Sequence, residues 1–145
     1  MFILPRKVIN IVNSICRSFL WFGMQETHKP GNVKWEEVCR LQKEEGLGIR
    51  NLQVWNLAVV GKIAWHLSTM RESLWVRWVH GVYTKGARWE IFNDPITASW
   101  TLKKIRVVKD ILKQWIVKDS YSIKETYKEI MCSNLKAPWK HLVWN

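Results

Sequence analysis

The stretch KWEEVCRLQKEEGLGIRNLQVWNLAVVGKIAW, Lys34 to Trp65, decides the fold. From Asn51 to Met70 the chain reads as a helix. Its apolar residues (Leu52, Val54, Trp55, Leu57, Ala58, Val59, Val60, Ile63, Ala64, Trp65 and Leu67) spread around most of the circumference and keep to no single stripe. A helix apolar on more than one side has to be covered on more than one side, so this one is the expected centre of the core. Gly61 inside it costs about 1 kcal/mol relative to Ala, tolerable where a neighbour packs closely. Ahead of it, Gly46 and Gly48 flank Leu47 directly after Lys43-Glu44-Glu45. That pattern implies a tight turn and a close backbone approach. The preceding acids repel phosphate, so the turn is read as a packing hinge that lets Trp35 and the Asn51–Met70 helix meet in one core. Trp35 to Cys39 fits one or two helical turns or a short strand.

Working outward, residues 5–22 form an amphipathic helix. Val8, Ile11, Val12, Ile15, Phe19 and Leu20 keep helical spacing, with Cys16 beside them, while Lys7, Asn10, Ser14 and Arg17 lie opposite. Pro5 suits the first turn and Gly23 the stop. The expected role is packing on the core. Pro30-Gly31 marks a turn. Glu72 to Tyr83 fits a further helix with Leu74, Trp75, Trp78, Val79 and Val82 as its apolar residues, and Thr84 to Ser99 a loop. Trp100 to Lys118 gives one clean helix, with Ile105, Val108, Leu112, Trp115 and Ile116 on one face. Lys103, Arg106, Lys109 and Lys113 fall on the opposite face, with Asp110 among them. Ser122-Ile-Lys-Glu125 is a capping box opening a last helix through Ile130, followed by the apolar and aromatic tail APWKHLVWN. The expected fold is mostly α: about five helices packed on the central two-sided helix, Asn51 to Met70, with little or no sheet. At helical spacing Trp55, Trp65, Trp75 and Trp78 are expected in that core.

The 145 residues carry a net charge of +11 and 11 Trp. A basic balance of this size suits a polyanionic partner and says nothing of fold. The apolar runs are too short for a transmembrane span, and MFILPRKV is too short for a secretory signal, so no membrane is expected and the chain is expected inside the cell, in nucleus or cytoplasm. Three scattered cysteines, Cys16, Cys39 and Cys132, do not make a disulfide framework and read as small buried hydrophobes. No Cys/His pair stands at metal-ligand spacing, the Gly46–Gly48 region lacks the spacing of a phosphate loop, and no nucleophile has a positioned base. Catalytic residues, metal ligands and cofactors are therefore all expected to be absent. Residues 101–145 hold ten Lys or Arg against four acids. The basic face of the Trp100–Lys118 helix is thus the candidate nucleic-acid surface, joined by Arg88 beside Trp89 and by Lys34. Its alternative is a merely solvated face.

Several motifs taken in order resemble one family. FLWFG (Phe19–Gly23), KWEEVC (Lys34–Cys39) and KEEGLGIRNL (Lys43–Leu52) come first, then Asn56, Ala58, Lys62 and Trp65. SLWVRWVHGVY (Ser73–Tyr83) with Lys85-Gly86 follows, then SYSIKETYKEI (Ser120–Ile130), Ala137-Pro138-Trp139-Lys140 and Val143-Trp144. Together they are similar to the region after the polymerase core in reverse transcriptases of plant non-LTR (LINE-type) retrotransposons, running up to the zinc-binding domain. The resemblance implies two parts, a thumb and linker over 1–119 and a lead-in to the zinc-binding domain over 120–145. It implies contact with RNA or an RNA–DNA hybrid through phosphates. The family's catalytic aspartates would lie before Met1 and its Cys/His ligands after Asn145, and where the family has adjacent glycines this chain has Gly46 after Glu45. The expectation is a truncated remnant of an RNA-directed DNA polymerase, non-catalytic alone. The alternative is an inert or interaction-only fragment that self-associates through exposed aromatics.

Overall fold

The computed structural model describes residues 3–23, 33–70, 73–89 and 98–133. Helix α1 covers Arg6–Phe22, α2 Trp35–Val38, α3 Leu52–Ser68, α4 Leu74–Val79, α5 Trp100–Ile111, α6 Lys113–Ile116 and α7 Ile123–Cys132. Among the described residues there are no strands, in keeping with a mostly α fold. The expected turn at Pro30-Gly31 and the tail Ala137–Asn145 lie outside the described residues.

α3 is the centre. Asn51 caps it, its side-chain oxygen accepting from the backbone N–H groups of Gln53 and Val54 at 3.1 and 3.2 Å, a cap worth about 1 kcal/mol. Val54, Leu57, Ala58, Val60, Ala64, Trp65 and Leu67 are all buried, under α5 and α6 on one side and α7 on another. Gly61 shows why a helix former is missing there. A Cβ would run into the Tyr121 hydroxyl and Leu112 Cδ1. That hydroxyl passes over Gly61 to donate to the Ala58 carbonyl at 2.8 Å. Its burial pushes the Tyr121 pKa up to about 12, opposed by its hydrogen bond with Thr126. Trp65 Nε1 donates to the Lys118 carbonyl at 2.9 Å, fastening the end of α6 to the same helix. Tyr127 of α7 accepts from the Asn51 N–H at 3.0 Å and meets Trp55 edge-on at 5.9 Å. Tyr121, Tyr127 and Ile130 therefore belong to the same core as α3 and α5.

The glycine turn closes on its own chain. Leu47 N–H donates to the Val38 carbonyl and Gly48 N–H to the Arg40 carbonyl, both at 3.1 Å, and Gly48 takes φ +70°. A Cβ on Gly46 would overlap the Arg40 carbonyl. The hinge is real, but it does not bring Trp35 into the main core as expected. Trp35, Val38 and Cys39 form a separate cluster with Trp21 and Ile49, because α2 folds back on the turn and on α1 before α3 begins. Cys39 is the buried thiol, its pKa raised to about 11 by burial, then by Glu36 and Cys16. Cys16 and Cys132 are exposed, against the expectation of three buried cysteines.

Three further expectations are corrected. α1 does not pack its apolar stripe on the core; only Ile9 and Ser18 are buried, while Val8, Ile11, Val12, Ile15, Phe19 and Phe22 are exposed. In α4 only Val76 and Val79 point inward, and Leu74 is 85% exposed, with Trp75, Trp78 and Val82 also outward. The helix ends in a π turn, His80–Thr84, which lets His80 Nε2 donate to the Leu67 carbonyl at 2.9 Å. The single helix expected over Trp100–Lys118 breaks at Leu112, whose φ −97° and ψ 20° separate α5 from α6. The break seats Trp115 and Ile116 in the core and points Trp115 Nε1 at the Glu129 carboxylate of α7.

Candidate nucleic-acid interface

α5 begins where the Ser99 hydroxyl accepts from the Leu102 N–H at 3.3 Å. Its inner face, Leu102, Ile105 and Val108, is fixed by the core, and this sets where the basic residues stand. Lys103 and Arg106 come out half-buried at the shoulders of the helix, as does Lys104, whose ammonium lies 5.9 Å from the Trp100 ring. Lys113 stands exposed on α6, beyond the break.

Lys109 is placed differently from the expected row. It is 9% exposed. Its ammonium donates to the Trp89 carbonyl at 3.3 Å, sits 5.7 Å from the Trp89 ring and is 3.9 Å from Asp110. A four-carbon stem can lie along apolar surface and deliver its charge to a carbonyl. Here that stem runs inward and ties the 85–89 segment to α5. Arg88, next in sequence to the buried Trp89, is exposed and lines a cavity of about 580 Å³ with His80, Met70 and the end of α3. Lys113 lines a second cavity, of about 310 Å³, that also reaches Ser68 and Thr69. Arg88 and Lys113 thus approach the same end of α3 from two sides, while Lys103 and Arg106 sit further up α5. Lys34 is exposed at the start of α2.

The sequence reading overlooked a third group. Lys62 and His66, one helical turn apart on α3, line a cavity of about 480 Å³ with Thr101 of α5 and the Trp75 ring. Its floor is apolar: Ile3, Ile63, Val76, Ile105 and Ile123. The i, i+4 spacing of Lys62 and His66 was visible, but their shared direction disappears in a helix that is apolar nearly all round. Such an arrangement puts Lys62, Arg88 and Lys113 beside cavities, one of them lined by Trp75 over an apolar floor. Cationic rims beside apolar surface are features shared by surfaces that contact phosphates and stack bases. Among the described residues no three His, Cys, Asp or Glu side chains lie close enough to hold a metal ion, and no helix is long and apolar enough to cross a membrane.

Over 129 residues, 84% of this chain, the sequence is 31% identical to the Arabidopsis thaliana protein named "Putative ribonuclease H protein". The match takes in 21% of that protein, so the chain spans about a fifth of the length of the curated relative it resembles. No family model matches the chain, and no solved structure does.

Proposed function

We propose that the chain is a thumb-and-linker segment of a LINE-type reverse-transcriptase polyprotein, non-catalytic by itself, that holds RNA or RNA–DNA hybrid by its phosphates. The observation that carries this reading is the similarity along most of the chain to a small part of a much longer plant protein named as a nuclease. The motifs from Phe19 to Val143-Trp144 support the retroelement reading, and the net charge of +11 supports a polyanionic partner. Lys103, Arg106, Lys113 and Arg88 are the phosphate contacts; Lys109 serves the fold. With four phosphates neutralised, the logarithm of the binding constant falls with the logarithm of salt at a slope of about −3 to −4. Filter binding of an RNA–DNA hybrid across a salt series tests this. Lys103→Glu with Arg106→Glu should weaken binding about tenfold or more at low salt while the circular dichroism stays unchanged. No salt-sensitive binding in the micromolar range would overturn the reading. Nucleotide incorporation by the isolated chain in primer extension would overturn its non-catalytic part.

A second reading, an interaction-only fragment, is favoured by the outward Leu74, Trp75, Trp78 and Val82 of α4 and its π turn. Concentration-dependent light scattering that is lost in Trp78→Glu, without any preference for nucleic acid, would support it. A monodisperse monomer would count against it.

A further inference from the structure

α1 lies on the molecule along a mixed face, with Ile9 and Ser18 buried and Asn13, Arg17 and Trp21 half-buried. Asn10, Asn13 and Arg17 face a crevice of about 230 Å³ against Trp35, Asn51 and Gln53. Its apolar side looks outward, with Phe19 67% exposed and Val8, Ile11, Val12, Ile15, Leu20 and Phe22 each more than a third exposed. Seven large apolar side chains exposed on one helix are what an interaction surface looks like before it is covered.

The pattern of the stripe selects its cover. Val8, Ile11, Ile15, Phe19 and Phe22 follow one another in steps of three, four, four and three residues, a spacing that reads the same in both directions about Ile15. The side chains also grow along the helix, from Val8 and Ile11 at one end to Phe19 and Phe22 at the other. An antiparallel copy sets Val8 opposite Phe22, Ile11 opposite Phe19 and Ile15 opposite itself. Val8 and Ile11 then each meet a phenylalanine, Val12 and Leu20 flank the seam, and the helices keep an even separation of about 8–10 Å. A parallel copy would set Phe on Phe at one end and leave a gap between valines at the other. The stripe carries no charge. α1 has no acidic residue, and its Arg6 and Lys7 stand at its N-terminus, where a helix disfavours cations. Antiparallel pairing moves them beside the last carbonyls of the partner helix, where cations are favoured.

We propose that α1 is a two-fold, antiparallel self-association face that joins two copies of this chain. One helix pair is a small interface, so the dimer dissociates at about 1–100 µM. Sedimentation velocity on the full chain, without nucleic acid, should show a monomer–dimer equilibrium over that range. Ile15→Lys places two ammonium groups across the two-fold axis and should give a monomer of unchanged helicity, while Ile15→Leu keeps the dimer. Cys16 is exposed beside the middle of the stripe, so a short bismaleimide should join two chains in the wild type and in Cys132→Ser, but not in Cys16→Ser. A monomer throughout the range would overturn the proposal. So would a dimer indifferent to Ile15→Lys or abolished by Trp78→Glu, and so would a monomer whose binding to phosphatidylserine vesicles is lost in Ile15→Lys. A dimer that ignores RNA–DNA hybrid would reject the nucleic-acid reading and leave this one standing.

Discussion

α1 and α3 are both helices of 17 residues, and they sit on the molecule in opposite ways. α3 is apolar nearly all round and is enclosed by α5, α6 and α7. α1 has the cleaner amphipathic pattern, yet its apolar side is outside. The difference separates two things that a hydrophobic pattern carries. Periodicity says which side of a helix needs cover. It does not say that the same stretch of chain supplies that cover. A helix that is apolar nearly all round leaves less choice, because cover on one side alone does not suffice.

Truncation separates the two helices most widely. Leu57→Ala in α3 should lose about 3–4 kcal/mol of unfolding free energy, whereas Ile15→Ala in α1 should lose less than about 1 kcal/mol, as surface positions do. Urea denaturation of the two variants at a concentration too low for association measures both, and equal losses would mean that α1 is packed after all. Next comes the close approach at the middle of α3. Gly61→Ala improves helix propensity by about 1 kcal/mol but drives a methyl into Tyr121 and Leu112, at an overpacking cost of about 1–3 kcal/mol. A net loss is expected, and Tyr121→Phe, which removes the obstructing oxygen, should recover part of it in the double variant. A further effect appears in alkaline solution. Burial holds Tyr121 protonated to about 12 and also raises Tyr127, while an unfolded tyrosine ionises near 10. Above that pH the unfolded chain binds fewer protons than the folded one. Stability is therefore level below about pH 9 and falls as pH rises from about 10 to 12. Urea midpoints taken across that range should show a decline that Tyr121→Phe makes shallower.

The helical class, the central place of α3 and the reason for Gly61 were legible because each follows from local chemistry. All-round apolarity and a glycine in a packed helix have few other meanings. The Gly46–Gly48 turn was legible as a hinge for the same reason. The satellite cluster of Trp35 was not, since nothing local says whether α2 turns toward α3 or toward α1. The orientation of Trp75 and Trp78 was missed because helical spacing was taken for burial, while only Val76 and Val79 of that helix turn inward. The candidate interface was half legible. Lys103, Arg106, Lys109 and Lys113 share one face of an ideal helix, but the break at Leu112 separates the last from the others. Lys109 turns inward because Trp89, 20 residues away, presents a carbonyl and a ring that no helical wheel contains.

That inward lysine has a consequence in reagent chemistry. Amine-directed acylation or reductive methylation needs a free lone pair and room around Nζ. Lys109 has its ammonium held against a carbonyl and an indole, whereas Lys113, one turn further on, is open to solvent. In a time course read by mass spectrometry on the folded chain, Lys109 should label after Lys113, Lys103 and Lys104. Urea should erase that order. The lag of one amine would then report on whether the 85–89 segment is docked, with no mutation and no ligand.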